Sequence, residues 1–130
     1  MTLFVDTSGI LALIDRDDPA HERTIDAFAL GRDEPLVTHT YVVVETLAVA
    51  RRRFGADVAA DLIDRVFPAL EVAAVDSGLH ETAVAAFRDT IESSVSLVDR
   101  ISFAFMRRVH IECAIALDVD FRTAGFETLP

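Results

Sequence analysis

Strand-like runs in this chain are short and apolar, and each gives way to a helical pattern. That alternation limits the fold more than any other feature. Leu3-Phe4-Val5 stops at Asp6, turns through Thr7-Ser8-Gly9 and leads into a short helix over residues 10–14. Asp18-Pro19 reads as a helix start, with Asp as N-cap and Pro at the first helical position. That helix is expected to run to Ala29 or Leu30 and close at Gly31. Pro35-Leu36-Val37-Thr38 is the second strand. Val44, Leu47, Ala48 and Arg51 then share one face at helical spacing, which predicts a helix from about Thr40 to Phe54. Gly55 breaks it, and residues 56–67 form a further helix stopped near Pro68. A third strand falls at 70–75, and Asp76 or Ser77 opens a helix running to about Ile91. Beyond a polar loop at 93–96, residues 97–108 place Val98, Ile101, Phe105 and Val109 three or four apart. Residues 113–117 form a fourth strand leading into Asp118-Val119-Asp120, and 127–129 form a short terminal one.

Strands alternating with helices predict an α/β domain whose mostly parallel sheet is covered on both faces. At 130 residues, a single domain spanning 1–130 is expected. Hydrophobic residues make up 52% and charged residues 26%, which excludes a disordered chain. No apolar run approaches the ~18 residues of a membrane span, so no membrane association is expected. The first residues lack a basic segment, so no secretory leader is expected. With Cys113 the single cysteine, a reducing cytoplasm is the expected compartment.

There are 22 acidic residues against 12 basic ones, a net charge of −10, and every basic residue is arginine. A chain so acidic is a poor non-specific binder of nucleic acid. The absence of lysine also excludes every mechanism built on a catalytic lysine.

Ligands of an open parallel sheet bind outside the carboxyl ends of its strands. Asp6 ends the first strand, and Asp118 and Asp120 follow the fourth. Glu45 lies in the first two turns of the helix after the second strand, and Asp99 begins the helix preceding the fourth. Carboxylates gathered there repel one another and call for a cation, and hard oxygen ligands suit Mg²⁺ or Mn²⁺. Such an ion polarises a phosphoryl oxygen and acidifies a water for in-line attack, so a phosphodiester is the expected substrate. Each acid also has a plainer reading. Asp6 and Asp118 could cap their strands, Glu45 could be an exposed helix acid, and Asp99 could complement a helix dipole.

Four segments together resemble the PIN domain, and within it the VapC-type toxins. Phe4-Val5-Asp6-Thr7-Ser8 is similar to the family's opening strand. Val44-Glu45-Thr46-Leu47 resembles the helix carrying its second acid, and Ser96-Leu97-Val98-Asp99-Arg100-Ile101-Ser102-Phe103 its third. Ala116-Leu117-Asp118-Val119-Asp120-Phe121, with Ala124-Gly125-Phe126, resembles the closing motif. The resemblance implies a three-layer α/β/α sandwich and a ribonuclease whose catalytic and metal-binding residues are Asp6, Glu45, Asp99 and Asp118. It implies Mg²⁺ or Mn²⁺ as cofactor and RNA as substrate. It also implies a small antitoxin protein as partner and a homodimer. Two other readings keep the fold: an RNA-processing nuclease with no toxin role, and an inactive partner-binding module. Asp120 departs from the family pattern, either as a spare ligand or as a solvated loop acid. Thr7 and Ser8 could support the metal or cap the first helix, and Ser102 could orient Asp99 or face the preceding turn.

The remaining chemistry-bearing residues point elsewhere. His21, His39, His80 and His110 show no ligand spacing on one helix, and His39, closest to a strand end, reads as a turn residue that could otherwise touch substrate. Cys113 reads as an inert core thiol. Arg51-Arg52-Arg53 either contacts phosphate or complements a helix end. Arg100, Arg107 and Arg108 are further candidates for phosphate contact. A receiver domain needs a lysine, a haloacid-dehalogenase-like phosphatase needs Asp-x-Asp at the first strand, and a dinucleotide fold needs more glycines in its first turn. The chain supplies none of these.

Overall fold

The computed structural model describes residues 1–130. Five strands form one sheet: β1 (Leu3–Val5), β2 (Leu36–His39), β3 (Glu71–Ala73), β4 (Cys113–Ile115) and β5 (Glu127–Leu129). Their order across the sheet is β3-β2-β1-β4-β5, and every neighbouring pair is parallel. β1 and β4 are buried along their whole length, as expected for central parallel strands covered on both faces.

Seven α-helices connect them: α1 (Thr7–Ile14), α2 (His21–Ala29), α3 (Thr40–Phe54), α4 (Ala56–Asp61), α5 (Ser77–Asp89), α6 (Leu97–Arg108) and α7 (Val119–Thr123). α1 packs on α2 and α3, and α3 packs on α4. Separately, α5 packs on α6 and α6 on α7. Right-handed crossovers between parallel strands assign these two groups to opposite faces of the sheet. The three-layer α/β/α sandwich is therefore the observed fold. No helix is long and apolar enough to cross a membrane. Phe4 anchors the core, its ring against those of His39, Phe105 and Phe121.

Successive strands step outward from β1 to β2 and β3, then the chain returns to β4 on the other side of β1. The reversal opens a crevice beyond the carboxyl ends of β1 and β4.

The structure corrects several sequence expectations. There is no Thr7-Ser8-Gly9 turn: α1 begins at Thr7, because the Asp6 carboxylate already caps it by accepting the Ser8 N–H. Asp18-Pro19 is a turn and not a helix start. The Asp18 side chain accepts the Ala20 N–H, and α2 begins later, at His21. Gly31 lies in a 3₁₀ turn, Leu30–Arg32, where a Cβ would come within 2.5 Å of the Leu36 side chain. A side chain there would push the tip of Leu36 aside. The helix expected over 56–67 ends as α4, widens into a π turn at Leu62–Val66 and tightens into a 3₁₀ turn at Phe67–Ala69. That irregular path buries both Leu62 and Phe67. The helix expected to reach Ile91 stops at Asp89, and the fourth strand is shorter than expected. Residues after Asp118 form α7, which the sequence reading left out.

Candidate active site

Asp6 leaves β1 into the crevice. Its backbone N–H donates to the Ile115 carbonyl at 3.1 Å, tying the end of β1 to the end of β4. Its Oδ2 accepts from the Ser8 N–H at 3.1 Å and the Ser8 hydroxyl at 2.6 Å. The Ser8 Oγ in turn accepts the Leu117 N–H at 3.0 Å. The other carboxylate oxygen, Oδ1, is buried with no hydrogen-bond partner. Burial pushes the Asp6 carboxyl up to about 6, despite the two bonds from Ser8 that favour its charged form.

Asp99 lies in the first turn of α6. Ser96 caps that helix, its Oγ accepting the Asp99 N–H at 3.1 Å. The Asp99 carboxyl is held far above the usual carboxylate range, first by burial and then by the negative charges of Asp6, Asp118 and Glu45. Glu45, half-buried on α3, also raises Asp6. Asp118 caps α7, with Oδ1 accepting the Asp120 N–H at 2.9 Å.

The negative charges of Asp6, Asp118 and Glu45 all act on Asp99, so the four predicted acids lie near one another. Asp120 joins them: oxygens of Asp99, Asp118 and Asp120 all lie within 4.8 Å of one another. The sequence leaves Asp120 open between a spare ligand and a solvated loop acid. It is not a loop acid but belongs to the first turn of α7, half-buried. Its signal was an acid two residues after an N-cap aspartate. The group fits a hard divalent cation on two grounds internal to the structure. Every donor is a carboxylate oxygen, and the orphaned Asp6 Oδ1 is a buried acceptor that lacks a partner.

Hydrogen bonds between helices hold the elements that carry these acids. Thr46 Oγ1, next to Glu45, donates to Thr7 Oγ1, next to Asp6, at 3.2 Å. His39 is not a turn residue. It is fully buried, its Nδ1 accepting the Val42 N–H at 3.3 Å as the cap of α3. The ring proton therefore sits on Nε2, which donates to Ser102 Oγ at 2.8 Å, while Ser102 donates to the Val98 carbonyl at 3.0 Å. Ser102 thus faces the preceding turn of α6 and links it to α3. Burial lowers the His39 pKa to about 4, consistent with a neutral ring. Cys113 is buried, as expected of a core thiol. Arg53 at the end of α3 pairs with Asp15 at 3.6 Å and lies over the Phe54 ring. All three arginines of the run stay exposed, and Arg53 is the one with an acidic partner.

A family model described as PIN domain matches residues 3–127. The 23S rRNA-specific endonuclease VapC20 of Mycobacterium tuberculosis is 36% identical over 126 residues, covering 95% of each chain. The crystal structure of M. tuberculosis VapC20, described as a sarcin–ricin loop cleaving toxin, superposes with a TM-score of 0.88 at 34% identity, covering 99% of this chain and all of that one. FitAcB from Neisseria gonorrhoeae gives a TM-score of 0.73 at 12% identity, over 99% of this chain and 97% of its own. A toxin–antitoxin complex from Klebsiella pneumoniae gives 0.68 at 14%, over 99% and 97%. The last two likenesses carry the fold alone.

Proposed function

The chain belongs to the PIN domain family, and from that premise we propose that it is a divalent-metal-dependent endoribonuclease, the toxin of a toxin–antitoxin pair. The observation that carries this reading is the buried, unpartnered Oδ1 of Asp6, beside an Asp99 carboxyl that burial and the charges of Asp6, Asp118 and Glu45 raise. Asp6, Glu45, Asp99 and Asp118 hold the cation, with Asp120 beside them, and Mg²⁺ or Mn²⁺ suits the all-oxygen donor set. When bound, the cation supplies a Lewis acid for a phosphoryl oxygen and lowers the pKa of water.

The chain's own residues do the placing. Ser8 fixes one oxygen of Asp6 and leaves the other bare for a ligand. Asp118 spends Oδ1 on the α7 N-terminus. Asp99 is presented by a helix whose start Ser96 closes. The buried face of α6 keeps bulk water from Asp99 on that side. RNA as substrate follows from the likeness to an endonuclease named for 23S rRNA. The toxin role and a small antitoxin partner follow from the likeness to a chain described as a toxin. Residues 1–130 act as one nuclease domain in the cytoplasm, and a homodimer completes the reading. Light scattering at micromolar concentration tests the dimer, with a stable monomer counting against it.

Cleavage of total cellular RNA, with and without EDTA, tests the activity. Cleavage should vanish with EDTA and return with Mg²⁺ or Mn²⁺. Asp6→Asn and Asp99→Asn should each lower it by about 10²-fold or more while the fold survives. Undiminished cleavage in EDTA, or a fully active Asp99→Asn variant, would show the metal reading to be wrong.

A further inference from the structure

Three arginines lie on α6, and their surroundings differ. Arg108 is ion-paired with Asp76. Arg107 donates to the Ala124 carbonyl at 3.0 Å and lies over the Phe126 ring. The Arg100 side chain makes no ion pair and no hydrogen bond, and its Nε is buried without an acceptor. Yet it follows Asp99 directly and lies close enough to Asp120 to favour that residue's charged form. A half-buried guanidinium with all its donors unused, on the border of an acidic cluster, is poised for an anion that the free chain lacks.

On its other side Arg100 borders a hollow of about 310 Å³ between α5 and α6. Ala83, Ala86, Phe103 and Ala104 give it a mostly apolar lining, and Arg107 closes the far rim. That volume lies at the lower end of small-molecule sites. An acidic chain must gather RNA with local cations. A guanidinium is the side chain whose planar fork matches two phosphate oxygens. Unstacked bases are received in apolar recesses and against guanidinium planes.

We propose that Arg100 and this hollow seat one nucleotide of the RNA beside the bond that is cut, with the guanidinium on a backbone phosphate and the base between α5 and α6. The inference rests on the nuclease reading and assigns part of that site's substrate contact. Arg100 binds substrate on the flank of the acids and holds no cation itself.

The test measures binding of a fluorescein-labelled, single-stranded RNA by anisotropy in Mg²⁺, in an Asp6→Asn background that slows cleavage. Arg100→Gln should weaken binding about tenfold or more. It should also make the salt slope shallower by about 0.7, the value of one phosphate contact on a single strand. Ala86→Leu fills the hollow and should weaken binding with the salt slope unchanged. Thermal unfolding of each variant checks that the fold is intact. An Arg100→Gln variant with unchanged affinity and slope overturns the phosphate contact. So does one that only loses thermal stability, as a mere counter-charge to Asp120 would. Unchanged affinity in Ala86→Leu overturns the base seat. If the wild-type chain cleaves no RNA but Arg100→Gln still changes the slope, the nuclease reading fails and the nucleotide seat stands. If the wild type cleaves and Arg100→Gln binds and cleaves as well, the seat fails alone.

Discussion

Gly9 lies in α1, where general helix propensity favours alanine by about 1 kcal/mol. The structure predicts the opposite outcome for Gly9→Ala. A Cβ there would stand 2.6 Å from the Ile115 carbonyl oxygen and 3.0 Å from Ile115 Cγ2. Neither neighbour is the free end of a flexible side chain. Reaching the 3.4 Å of ordinary contact requires α1 to retreat from β4 by about 0.8 Å. Overpacking of this kind costs about 1–3 kcal/mol, so a net loss of up to ~2 kcal/mol remains after the propensity gain. The melting temperature should then fall by roughly 5 °C for a chain of this length. The carbonyl under pressure is also the one that accepts the Asp6 N–H, and Asp118 follows it by three residues. The retreat therefore moves Asp6 relative to Asp118. A displacement near 1 Å costs on the order of 10²-fold in rate, so cleavage should suffer far more than stability. Gly78→Ala is the control. Gly78 is also helical, but its Cβ would meet only the Asp76 side chain at 3.4 Å, so this change should stabilise by about 0.5–1 kcal/mol. Thermal unfolding and RNA cleavage with Mn²⁺, run on both variants, decide the matter. A Gly9→Ala chain as stable as the wild type or more so, with full cleavage, would refute the close-approach argument.

Three further outcomes are expected. His110 is the one non-glycine residue with positive φ, at 58°, just beyond the C-terminus of α6, so His110→Gly should raise stability by about 1 kcal/mol in urea unfolding. His39 is held neutral with its pKa lowered from 6.5 to about 4; the unfolded chain takes up the proton first, so this contribution is whole above pH 6.5 and is lost as pH falls towards 4. The stability gap between wild type and His39→Gln should accordingly narrow by about 3 kcal/mol across that window, and a constant gap would contradict a buried neutral ring. Mg²⁺ or Mn²⁺ at a hundred times its dissociation constant should stabilise the wild-type chain by about 2.7 kcal/mol and the Asp6→Asn chain much less, as read by calorimetry.

The strand–helix alternation and the four acids were legible because both are local signals. An apolar run that stops at a carboxylate marks Asp6, directly after β1, whereas the run before Asp118 outlasts its strand, since β4 ends at Ile115. Other features depended on competition between local bonds. Asp18-Pro19 carries the sign of a helix start, but the Asp18 side chain reaches only as far as the Ala20 N–H and makes a turn. α7 escaped notice because five residues are too few to show helical spacing. Its cap, Asp118, reads from the sequence as a metal ligand or a strand cap, and in the structure it caps the helix.

What no local pattern carries is which oxygen of each acid stays free. Asp6 offers two. Ser8 takes one, and Ser8 is itself held by the N–H of Leu117, 109 residues away. His39, which reads as a turn residue because it is polar and ends a strand, is buried because each ring nitrogen finds a partner, one of them 63 residues distant on α6. These bonds join segments far apart in the chain that carry different acids, so their effect exists only once the sheet has assembled. A chain that kept every acid but lost Ser8 would still read the same at the strand ends. It would keep the bond from the backbone N–H of residue 8 to Asp6 Oδ2 but lose the hydroxyl that ties that oxygen to Leu117, so the carboxylate would be held by one bond instead of two.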